Sequence, residues 1–134
     1  MKPWIVAFNL PTRSWTSGGA RTEYSPEHND VYAVNAASRE HAEQLGRARR
    51  QLQIKITPKQ QDLLRSIFEA VRGEPEGLTR SVEVLEWEGR MASRLHAIGL
   101  LEPVGDGYRE VKLTQDAFNP SLRNMLRLEA APHE

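Results

Sequence analysis

The sequence predicts an α+β chain: a small strand–strand–helix unit over residues 1–56, a helix–helix–hairpin segment over 57–118, and a C-terminal helix with a fraying tail over 119–134. Three observations carry that expectation. Pro3–Leu10 and Asp30–Ala36 are short runs rich in aromatic and β-branched residues, as strands are. Met91, Ala92, Leu95 and Ile98 recur at the spacing of a half-buried helix. Gly105-Asp106-Gly107 divides Leu101–Val104 from Tyr108–Leu113, a strong hairpin signal.

In the first strand, Trp4, Val6 and Phe8 alternate with Ile5, Ala7 and Asn9. From Pro11 to Asn29 the composition turns to Thr, Ser, Gly, Pro and Asn, which reads as a long loop or an open hairpin. Arg13, Trp15, Arg21 and Tyr24 lie within it, either as an arm that grips a partner or with Trp15 folded back over the sheet. After the second strand Ser38 caps a helix to about Gln53, with Glu40 in its first turn and Ala42, Leu45, Ala48 and Leu52 on one face. Two strands and a helix are marginal alone, so this unit is expected to share a core with the rest of the chain or with a second copy.

Thr57-Pro58-Lys59-Gln60 is a capping box with proline at the first helical position. The helix it opens carries Leu64, Ile67, Phe68 and Val71 inward and ends near Arg72–Gly73. Thr79 then caps a short helix holding Val82 and Leu85, and Glu86–Gly89 breaks it before the longer helix at about 88–98. Gly99 stands where that helix must stop, because glycine enters the left-handed region without a Cβ penalty. Thr114 caps a turn at Gln115–Phe118, and Asn119 caps the last helix with Pro120 at its first position, Leu122, Met125 and Leu126 forming a stripe.

Residues 57–118 resemble the winged helix-turn-helix domains of small bacterial and phage transcription regulators, above all in the run RLHAIGLLEPVGDGYREVKLT. The resemblance implies double-stranded DNA as partner, read in the major groove by the helix at about 88–98. Its outward positions are Glu88, Gly89, Arg90, Ser93 and Arg94, while Leu85, Trp87, Ala92 and Leu95 hold the two helices together. Arg90 is the expected base reader, because a guanidinium forks onto guanine, with Arg94 on base or phosphate. Arg109 and Lys112 of the wing reach phosphate, beside Tyr108. Arg47, Arg49 and Arg50, followed by Lys55 and Lys59, form a second phosphate-contacting strip or a solvated helix end. One winged module buries too little for tight binding, so a homodimer is expected. The same fold also serves protein docking in adaptors and phage- or plasmid-type inhibitors. Glu83, Glu86 and Glu88 flank the reading surface, and if they face outward beside Arg90 the surface suits a basic protein partner instead.

Composition narrows the classes further. The chain of 134 residues is 39% hydrophobic and 27% charged, ordinary for a globular protein, and holds no cysteine, which excludes disulfides and thiol catalysis. Its net charge of zero divides unevenly: residues 1–56 carry eight Lys/Arg against five Asp/Glu, and residues 57–134 ten against thirteen. No run spans a bilayer, and MKPWIVAFNLP lacks a cleavage pattern, so a cytoplasmic location without membrane attachment is expected. His28, His41, His96 and His133 are scattered without metal-ligand spacing. No nucleophile elbow, phosphate-cradling loop or carboxylate pair appears, so neither enzymatic activity nor a cofactor is expected.

Overall fold

The computed structural model describes residues 1–71 and 81–127. Its first strand, β1 (Lys2–Asn9), is the centre of an antiparallel three-stranded sheet, between β2 (Ser14–Gly19) and β3 (Asn29–Ala36). The alternation in β1 places Trp4 and Val6 in a buried cluster with Tyr32, Val34, Ala36 and Ala42, and Phe8 is buried further along the same strand. The helix α1 (Arg39–Gln53) covers it, opened by the Ser38 hydroxyl accepting from the His41 amide. Gly46 lets the helix come close, since a Cβ there would stand 3.0 Å from Val6 Cγ1 and 3.2 Å from Trp15 Cζ3.

Two strands were expected here with a long loop or an open hairpin between them; the hairpin is the one present, and it adds a third strand. Ser14–Gly19 joins through backbone pairing, Phe8 opposite Trp15 and Val6 opposite Ser17. Its sequence SWTSGG has no apolar alternation, so periodicity cannot reveal it. Trp15 folds back onto the sheet, 5.1 Å from the Phe8 ring and 6.2 Å from that of Tyr32. The Arg13–Tyr24 stretch is thus largely a hairpin rather than a free arm.

The second half begins with α2 (Pro58–Ala70), where both bonds of the Thr57–Gln60 capping box form. After the segment outside the described residues come β4 (Val82–Glu83), a 3-10 turn at Glu86–Glu88, and α3 (Gly89–Ala97). The hairpin strands are β5 (Leu101–Pro103) and β6 (Glu110–Leu113), and β4 adds to β6 for the order β4-β6-β5. A 3-10 turn at Gln115–Phe118 leads to α4 (Pro120–Met125). The helix expected around Val82 and Leu85 is therefore replaced by a strand. Val82 pairs with Val111, and the Val84 amide donates to Arg109 O at 2.8 Å, so the hairpin's open edge captures the segment. The expected cap Thr79 lies outside the described residues.

The buried apolar residues form two clusters instead of one shared core. The larger contains Leu64, Ile67, Leu95, Leu100, Leu113 and Leu122, and the other is the sheet-and-α1 cluster. A polar seam joins them. The Asn119 side chain accepts from Val31 N at 2.8 Å and donates to Val31 O at 3.2 Å, adding one rung to the free edge of β3. Asp30 accepts from Arg50 Nε at 2.8 Å, from Ser121 N at 3.0 Å and from Ser121 Oγ. Asn119 was expected to cap α4, but its side chain makes no cap bond, and Asp30 supplies one from across the seam.

Candidate functional site

Helix α3 has the register that its sequence implies. Ala92 and Leu95 are fully buried, with Met91 and Ile98 packed beside them, while Arg90, Ser93, Arg94 and Ala97 are exposed. Spacing of three and four residues brings Arg90, Ser93 and Arg94 onto one outward face.

Of the other expected cations, Arg47, Arg49 and Arg50 contact the N-terminal sheet or the seam. Arg49 donates from Nη1 to Ala33 O at 3.1 Å and to Asp116 Oδ2 at 3.4 Å. Arg50 pairs with the fully buried Asp30 and stacks over the Phe8 ring at 4.1 Å. Arg47 lies over Trp15 at 5.6 Å. The charges of Arg49 and Arg50 are thus met by acids of the fold, whereas Arg47 stays exposed over its ring. On the hairpin Lys112 pairs with Glu102 at 3.3 Å, and Arg109 is exposed.

A different surface stands out between β4 and α3. Leu85 is 58% exposed and Trp87 72% exposed. Both were expected to hold two helices together, but with β4 in place of the first helix they have no helical partner there. A fixed turn presents them: Glu88 N donates to Leu85 O at 2.8 Å, and Glu88 Oε1 accepts from Leu85 N at 3.0 Å. Glu88 is thereby tied to its own backbone, whereas Glu83 and Glu86 are exposed.

The sheet beside this turn continues the acidic character. Val111 and Leu113 are buried, so the alternate positions Glu110 and Lys112 form its solvent face. Glu110 lies opposite Glu83, and Lys112 opposite Glu102. Three glutamates thus share that face with one lysine.

A crevice of about 560 Å³ crosses the joint between the halves, lined by Leu45, Arg49 and Leu52 on one side and His96, Ile98 and Asp116 on the other. Burial pushes the Asp116 carboxyl above its ordinary value, against the Gln53 hydrogen bond and the charge of Arg49, which lower it. Gln53 holds the floor, donating from Nε2 to Asp116 Oδ2 at 3.0 Å and to Ile98 O at 2.9 Å. His96 is occupied with the Tyr108 hydroxyl at 2.9 Å.

Among the described residues no group of three His, Cys, Asp or Glu could hold a metal ion, and no helix is long and apolar enough to cross a membrane. Comparison with known protein families, with curated proteins and with solved structures finds no significant match to the chain. The functional reading therefore rests on the geometry of its own residues.

Proposed function

We propose that this chain is a non-enzymatic protein-binding module that docks a partner through Leu85 and Trp87, on a C-terminal half of winged-helix type. The exposure of Trp87 beside Leu85 carries the reading. Exposed apolar side chains clustered in a rigid turn mark contact surfaces, and tryptophan is among the strongest interface anchors. The winged-helix reading is supported by the succession α2, β4, α3, hairpin and by the order β4-β6-β5. The hairpin's solvent face favours a protein over phosphate, because Glu83, Glu102 and Glu110 outnumber Lys112 there.

A second reading, a homodimeric transcription regulator on double-stranded DNA, is favoured by the shared outward face of Arg90, Ser93 and Arg94. One experiment separates the two. A photoreactive phenylalanine analogue replaces Trp87 in the producing cells, with Thr16 of β2 as the control position, and retention of random-sequence duplex is measured at low salt. The docking reading expects a discrete protein adduct from position 87, none from position 16, and no duplex retention. Duplex retention that falls steeply with salt, without an adduct at 87, would establish the DNA reading instead.

A further inference from the structure

We infer that the partner segment docked on Leu85 and Trp87 is basic, with an Arg or Lys side chain lodged against Glu83 and Glu110; this rests on the docking reading above. The argument starts from register. Glu83 and Glu110 are directly opposed across the β4–β6 ladder, and both are exposed. Like charges at opposed positions repel and destabilise a sheet. Among the described residues neither carboxylate forms an ion pair: Lys112, on the same face, pairs with Glu102 at 3.3 Å, and Glu110 accepts from the neutral Ser81 hydroxyl, also at 3.3 Å. Glu86 adds a further exposed carboxylate beside Trp87.

Leu85 follows Glu83 two residues on and Trp87 follows Glu86 directly, so the exposed apolar residues alternate along the chain with exposed acids. An uncharged apolar segment would cover Leu85 and Trp87 and leave the repulsion in place, now further desolvated. A polyanion would add to it. A segment bearing one aromatic or aliphatic anchor next to Arg or Lys satisfies both features, and arginine also stacks on a tryptophan face. The opposed pair thus trades stability of the free chain for choice of partner.

The test uses the full chain and a random-peptide display library. Peptides selected on the wild-type protein are measured against Glu83→Gln/Glu110→Gln and Trp87→Ala, with melting temperatures recorded for all three. The expected winners combine Arg or Lys with an apolar anchor, weaken with salt, and bind the double glutamine variant at least roughly tenfold less tightly, about the loss of one good charge contact. That variant should melt no lower than wild type, because its substitutions remove a repulsion. Winners without cations that bind both proteins equally would overturn the basic partner and leave docking intact. A lower melting temperature for the double variant would overturn the repulsion premise, and with it this inference. An empty selection, or winners indifferent to Trp87→Ala, would overturn the docking reading itself.

Discussion

Arg50 donates from Nε to Oδ2 of Asp30 across 2.8 Å, with the Asp30 side chain fully buried and that of Arg50 only 16% exposed. The pair ties α1 to β3, and Ser121 at the start of α4 bonds the same carboxyl, so three elements meet at one acid. Removing the guanidinium leaves a buried carboxylate without its charge partner, which costs about 3–5 kcal/mol. Arg50→Ala should lower the urea midpoint accordingly. Arg47→Ala, on an exposed side chain, should change it by less than about 0.5 kcal/mol. Equal effects would mean that the seam does not depend on this pair.

Leu95 and Trp87 make a second contrast. Leu95 is fully buried in the larger cluster, so Leu95→Ala should destabilise the chain by about 2–5 kcal/mol as a cavity-forming truncation. Trp87→Ala should leave stability within about 0.5 kcal/mol while removing partner binding. Denaturant melts followed by circular dichroism measure both. A strongly destabilised Trp87 variant would assign that ring to the core.

How much of this was legible in advance depended on whether the cause was local. The Thr57–Gln60 box and the stop at Gly99, which takes φ of 87°, are decided within a turn of chain, and both appear as the sequence implies. The α3 register was equally readable, because 3.6-residue periodicity is a local signal. β2 was legible only as one of two alternatives, since a strand without apolar alternation exists through its distant partner, and the Val82-Glu83-Val84 alternation of β4 is too short to outweigh the helical spacing of Val82 and Leu85. Asn119 looked like a cap by its neighbours but spends its amide on Val31, 88 positions away. Arg49 and Arg50 looked like a solvated helix end because their acids, Asp116 and Asp30, lie 67 and 20 positions distant. For Leu85 and Trp87 the hydrophobic pattern could not tell an inward residue from a presented one. That distinction separates a core from a docking surface, so the site was less legible than the fold.

The exposed face of α3 yields a prediction independent of the docking surface. Arg90 and Arg94 are exposed and make no side-chain hydrogen bond or ion pair among the described residues, so Arg90→Ala/Arg94→Ala should leave the melting temperature unchanged. On the docking reading, binding of the protein partner persists in this variant. On the DNA reading, Arg90→Ala alone lowers affinity for a chosen site by roughly tenfold or more, the worth of a lost bidentate base contact. Parallel peptide and duplex titrations of the variant decide which role the face has.

Asp116 gives the chain a pH dependence of definite sign. Its folded-state value is raised, chiefly by burial, so the folded protein binds the proton more readily than the unfolded chain. The penalty for holding a desolvated carboxylate is therefore present in full above the folded value. It disappears as pH falls through that value toward the ordinary carboxylate range, and stability from this group rises on acidification. Asp116→Asn cannot titrate there and retains an oxygen for the Gln53 amide, which removes the dependence. Other carboxylates are common to both proteins and cancel in the difference. Urea midpoints measured in parallel should thus show wild type gaining on Asp116→Asn as the pH is lowered from neutrality. A gap that moves the other way would mean that Arg49, at 3.4 Å, outweighs burial and holds the carboxyl below its ordinary value.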